Sequence, residues 1–148
     1  MDSPFVTPII SGNEIQALLP QRPPIIMVDQ FYGMDETGSY SSLTIDSDNL
    51  FVRNGQLDEC GLIEHIAQSA AARIGYIFKG QNQHIPLGYI GSVNKMLIHR
   101  QAQVGEQLHT TIKVEQEIFE ITLISATVHV NEEIIAEGQL KIFLKKES

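Results

Sequence analysis

The chain has 148 residues, 43% of them hydrophobic and 19% charged, which suits one compact domain able to bury its own core. A net charge of −8 argues against nucleic acid, since holding phosphates needs clustered Lys and Arg. The single cysteine, Cys60, excludes an intrachain disulfide, and no apolar run is long enough for a membrane span, so the expectation is a soluble, cytoplasmic protein.

Residues 1–10 read as a loose arm. Ser11 or Asn13 can cap a short helix over Glu14–Leu19, which Pro20 stops. The stretch QRPPIIMVDQF follows, and its prolines belong before a strand, because they cannot donate ladder hydrogen bonds. A buried strand is predicted over Ile25–Phe31 and a second over Tyr40–Ile45. Asp58 is then an N-cap. Leu62, Ile63, Ile66, Ala67, Ala70, Ile74 and Ile77 recur at helical steps, and Gly80 suits the C-terminal end. A helix apolar on most of its surface belongs in the middle of its domain.

Four strands complete the chain: Leu87–Arg100, Gln107–Ile118, Ile121–Val130 and Ile134–Leu144. The last two are joined by a tight polar turn, Asn131-Glu132-Glu133. Helix and strands are segregated, which predicts an α+β domain with an antiparallel sheet over residues 1–148. One sheet covers such a helix only by curling around it.

Three segments in this order resemble the 3-hydroxyacyl-acyl carrier protein dehydratase family of the hot-dog fold. Leu19-Pro20-Gln21-Arg22-Pro23-Pro24-Ile25-Ile26-Met27-Val28-Asp29 resembles the family's LPHRxPxLLVD opening. Glu64-His65-Ile66-Ala67-Gln68 resembles its E-x-x-A-Q helix motif, and Val104-Gly105-Glu106-Gln107-Leu108 its glycine-acid turn between two late strands. The resemblance implies an antiparallel sheet wrapped around one long central helix. It implies a homodimer or a pairing with a related dehydratase, with sites at the interface, and an acyl thioester carried on acyl carrier protein as in fatty-acid or polyene synthesis. In the family the helix glutamate helps the C3 hydroxyl leave, and a loop histidine of the other subunit takes a proton from C2.

The loop before the helix departs from that pattern. The family's G-H-F-P signature is replaced by Asn49-Leu50-Phe51-Val52-Arg53-Asn54-Gly55-Gln56-Leu57-Asp58, which has no histidine, and Gln21 stands where the first segment usually has one. Phe51 and the short glycine loop resemble a divergent branch found with aryl-polyene pigment genes.

The candidate catalytic residues are therefore Glu64 as acid/base, Gln68 one turn on as its orienter, and His65 as a replacement base. Consecutive helical residues point about 100° apart, so His65 does not share a face with Glu64 and reads first as structural. Gly61 is a candidate oxyanion position, weighed equally against packing. Cys60, near the helix start, reads mainly as a small packed residue, and with Phe51 completes the candidate substrate-binding set. Arg73, Lys79, Lys95, His99 and Arg100 form a basic patch if they meet in space, and Arg53, Lys95 or Arg100 could steer an acidic carrier. No histidine pair has metal-ligand spacing and no nucleotide fingerprint is present, so neither metal nor cofactor is expected. Without a loop histidine, two alternatives stand beside a dehydratase: a hot-dog thioesterase using Glu64, or a catalytically weak partner of another dehydratase.

Overall fold

A computed structural model of the chain describes residues 3–145. Its elements are β1 (Ile10–Ser11), a 3-10 helix (Gly12–Ala17), β2 (Gln30–Met34), β3 (Ser39–Thr44), β4 (Val52–Arg53), β5 (Gln56–Leu57), α1 (Glu59–Gly80), β6 (Leu87–Ile98), β7 (Gln107–Ile118), β8 (Ile121–Val130) and β9 (Glu133–Lys145). Seven strands form one antiparallel sheet in the order β1-β2-β3-β7-β8-β9-β6, and β4 pairs with β5 separately. The α1 helix packs on the sheet, as the hot-dog arrangement requires.

The strand alternation predicts the burial. Along β8, Ile124, Ala126, Val128 and Val130 point into the core while the residues between them are half exposed. They meet Leu62, Ile66 and Ala70 of α1, with Leu108 and Ile112 of β7 and Leu140 of β9. A smaller cluster around Ile15, Leu18 and Phe31 seals the other flank of α1 against Ala72. There the helix comes so close to the 3-10 segment that a Cβ on Gly75 would run into the Leu18 backbone. At the start of α1 the Asp58 carboxylate accepts the Gly61 N–H at 2.8 Å, the expected N-cap bond.

Besides shifts of one or two residues at the ends of β3, β6 and β9, the structure departs from the sequence reading in three places. The first predicted strand is displaced: Ile25–Asp29 is irregular and β2 starts at Gln30. The reason lies in α1. The Gln68 amide accepts the Met27 N–H (2.6 Å) and donates to the Ile25 carbonyl (2.8 Å), and His65 donates to the Met27 carbonyl (2.6 Å). Two helix side chains thus satisfy backbone groups that a neighbouring strand would otherwise pair. The 3-10 helix replaces the predicted helix Glu14–Leu19 and begins two residues earlier, with Ser11 at its N-cap. The β4–β5 hairpin was not predicted, although its turn is Asn54-Gly55, both at positive φ, the preferred pair for a two-residue hairpin turn.

Candidate active site

Glu64, Ala67, Ala71 and Ile74 recur on one stripe of α1. At 1.5 Å per residue the stripe is about 15 Å long. It forms one wall of a cavity of 250 Å³. The opposite wall is Gly88–Ile90 of β6 with Ile142 and Leu144 of β9, and the 20–21 and 85–86 segments complete it. Glu64 is the one acidic side chain among lining residues that are otherwise mostly apolar.

Glu64 is half-buried. Its Oε1 accepts a hydrogen bond from Gln68 Nε2 at 2.9 Å. Gln68 is itself fully buried and fixed by its two bonds to the 25–27 backbone. A side chain so held loses little entropy when it orients a neighbour, so the carboxylate stands in a fixed direction at the edge of an apolar cavity. That arrangement can deliver a proton to a substrate oxygen, or take one from it.

His65 faces the other way. Its ring is fully buried, between the Met27 carbonyl and Thr110 Oγ1 (2.7 Å). A carbonyl only accepts, so Nδ1 carries the proton and Nε2 accepts from the Thr110 hydroxyl. Burial pulls the imidazole down from 6.5 to about 4, against the opposing effect of the Met27 bond. His65 does not line the cavity, and no histidine does among the described residues.

The remaining candidates lie on or beside the first turn of α1, and none of Gly61, Cys60 and Phe51 lines the cavity. A Cβ on Gly61 would collide with Phe51 and Leu57, and its N–H is engaged by Asp58. The glycine is thus needed for close packing of the β4–β5 hairpin on α1, and its N–H is already bonded. Cys60 is exposed rather than packed. Four of the basic residues lie against carboxylates. Arg53 lies 3.5 Å from Asp58, Arg73 3.7 Å from Glu117 and His99 3.4 Å from Glu137. Arg100 lies between Glu106 (2.9 Å) and Glu133 (3.1 Å). Each of these four has its own carboxylate. Among the described residues, no group of three or more His, Cys, Asp or Glu side chains has the geometry to hold a metal ion, and no helix is long and apolar enough to cross a membrane.

The sequence reading did not assign Gln21 a role. It lines the cavity with Glu64, and its Oε1 is shielded from solvent without a hydrogen-bond partner. The only signal in the sequence was the departure from the family's first segment.

The family model of ApeP-like proteins, described as ApeP dehydratase, matches residues 13–148. The chain belongs to the ApeP-like dehydratase family. It is 27% identical over 135 residues to a 3-hydroxyacyl-[acyl-carrier-protein] dehydratase FabZ of Natranaerobius thermophilus, covering 89% of this chain and 95% of that protein. A FabZ of Clostridium botulinum is 26% identical over 145 residues, with 90% and 95% covered. Among solved structures, a chain of the dehydratase heterocomplex ApeI:P from Xenorhabdus doucetiae superposes with a TM-score of 0.83 at 15% identity, over 96% of this chain and 93% of that one. At that identity the likeness carries the fold.

Proposed function

We propose that this ApeP-like dehydratase removes water from 3-hydroxyacyl thioesters carried on acyl carrier protein, with Glu64 as its acid. The observation that carries the reading is the Glu64–Gln68 pair at the edge of the apolar cavity along α1. The acyl chain lies along Ala67, Ala71 and Ile74, where each buried methylene contributes roughly 0.8 kcal/mol. Protonated Glu64 gives its proton to the C3 hydroxyl. The C3–O bond breaks, the C2–H proton leaves to a base, and its electron pair becomes the C2–C3 double bond. Water and the enoyl thioester are the products, and Glu64 is reprotonated for the next turn.

The base belongs to a second chain. No histidine lines the cavity among the described residues, and the cavity wall at β6 is also the edge of the sheet. That edge is twelve residues long and exposes Tyr89, Ile90, Val93 and Leu97. A long apolar edge is a template for another strand, and a free one invites aggregation. A related dehydratase chain is the occupant this reading assigns to the edge, and that chain would bring the proton acceptor; a structural neighbour from Xenorhabdus doucetiae is a heterocomplex of dehydratases, which supports such a pairing. An acyl-carrier substrate places the work in the cytoplasm.

The test supplies 3-hydroxyacyl and enoyl thioesters on acyl carrier protein to the chain alone and to the chain with a co-expressed dehydratase. Turnover that needs both chains, and falls by roughly 10²–10⁴-fold in Glu64→Gln, supports the reading. Release of free acid would make the protein a thioesterase. No turnover in either case, with carrier still bound, would leave a non-catalytic partner.

A further inference from the structure

Thr110 of β7 points inward to His65, so its neighbour His109 points to the outer face of the sheet, away from α1 and the cavity. There His109, Tyr32 of β2 and Tyr40 of β3 form a box around the ring of Phe5 from the N-terminal arm. Phe5 stacks on the His109 imidazole, with 4.6 Å between centroids and 17° between planes. It meets Tyr32 and Tyr40 edge-on at 5.3 and 5.5 Å, a favoured geometry for aromatic pairs. The box is held from its far side: the Tyr40 hydroxyl donates to Asp35 at 2.8 Å and the Tyr32 hydroxyl to Gln30 at 2.6 Å. The rest of the arm is loose. Ser3, Pro4, Val6, Thr7 and Ile9 are exposed. Among the described residues, no hydrogen bond joins residues 3–8 to the sheet before the Ile9 N–H reaches the Phe31 carbonyl. One ring holds the arm.

We infer that residues 3–9 are an acid-released strap: Phe5 holds it across β2, β3 and β7 while His109 is neutral, and protonation of His109 sets it free. The inference goes beyond the dehydratase reading and does not depend on it. An imidazolium needs water, and a ring stacked on it takes water from one whole face. Burial, and after it His129, lowers the His109 pKa from its ordinary 6.5. The sign follows by linkage. A cover that disfavours the proton is itself disfavoured once the proton binds. Docking is therefore fully favoured above 6.5 and weakens as pH falls below it.

The groups around His109 do not reverse this. Across the ladder on β8 stands His129, so acid places like charges directly opposite one another. The directly opposed residue on β3 is the neutral Ser42, and on β2 the facing ring is Tyr32 at 6.3 Å. Along β7 the same face carries Gln107, Thr111 and, four residues on, Lys113. The carboxylates of this region have their own partners. Asp29 accepts from Ser42 and the Thr44 N–H, Asp35 accepts from Tyr40, and Glu137 of β9 lies 3.4 Å from His99. Phe5 offers a charged ring only a cation–π contact, for which Phe is a poorer partner than Trp.

The experiment is an NMR titration of the isotope-labelled full chain from about pH 8 to about pH 5, reading the His109 ring and the backbone order parameters of residues 3–8. In wild type the arm should be as rigid as the sheet at the upper end, with order parameters of about 0.85, and fall below about 0.6 in step with protonation of His109. Phe5→Ala should leave the arm mobile throughout and raise the His109 pKa. His109→Phe keeps a ring to stack on but takes no charge, and its arm should stay rigid to the acid end. The β8 amides monitor the sheet, so loss of the whole fold in acid is told apart from release of the strap. An arm still rigid once His109 is protonated overturns the inference, as does one already mobile at the upper end. A His109 pKa that does not rise in Phe5→Ala also overturns it, and so does an arm released only together with the sheet. Release that persists in His109→Phe would assign the switch to another group and sink the inference as well. None of these outcomes bears on the dehydratase test.

Discussion

Protonating His65 should destabilise the fold, and the size of the effect follows from where the ring lies. The imidazole is fully buried and neutral, with Nδ1–H on the Met27 carbonyl and Nε2 receiving the Thr110 hydroxyl. Burial lowers its pKa in the fold to about 4 from 6.5. Between those values the unfolded chain binds a proton that the fold refuses, so acid favours unfolding. Stability from this group is fully present above pH 6.5 and is lost as pH falls toward 4. At about 1.4 kcal/mol per pH unit the loss totals roughly 3 kcal/mol. Other groups change in or at the acid edge of this range. His109 is lowered by burial, then by His129, and adds to the loss. Glu106, lowered first by its Arg100 bond, and Asp35, lowered first by its Tyr40 bond, add to it toward the acid end, whereas burial raises Asp29, which acts in the opposite sense. Comparison with His65→Gln cancels them. Urea unfolding across this range should show a steeper fall for the wild type, and the two curves should converge toward acid. His65→Gln should lose stability at neutral pH, yet its folded fraction should keep kcat within tenfold. Parallel pH curves would refute the burial argument, and a collapse of kcat in a well-folded variant would return His65 to the chemistry.

Other perturbations act on the same framework. Gln68→Leu strands the Met27 N–H and Ile25 carbonyl and frees Glu64, so it should cost about 1–3 kcal/mol by denaturant unfolding and lower kcat more than it raises KM. Gly61→Ala pushes a methyl group into Phe51 and Leu57 and should destabilise by about 1–3 kcal/mol, read as a lower Tm. Asp58→Ala removes the N-cap of α1 for about 1 kcal/mol, also read by Tm. Val93→Lys puts a charge on the free edge of β6 and should shift the protein from the paired to the single-chain form in sedimentation.

Strands and helix were legible where local pattern and tertiary environment agree. The bounds of β7 and β8 follow from alternation, and those of α1 from its cap and its apolar period. The pattern failed where long-range partners decide. Ile25–Met27 reads as strand from its side chains, but its backbone is paired by Gln68 and His65 from some forty residues away. The Asn54-Gly55 turn had a local signal that went unread, because its strands are only two residues each. Within the site, the spacing of Glu64 and Gln68 implied one face, and the hydrogen bond between them is there. The engagement of the Gly61 N–H, the exposure of Cys60 and the unpaired oxygen of Gln21 depend on what surrounds each residue, which spacing does not encode.

The central claim is that Glu64 moves a proton to and from the oxygen at C3. The direct measurement incubates an enoyl thioester on acyl carrier protein with the paired chains in heavy-oxygen water, wild type beside Glu64→Gln, and follows the label by mass spectrometry. The account predicts label in the 3-hydroxyl group of the thioester with wild type and none with the variant. Label in a released carboxylate, or equal labelling by both proteins, would contradict it.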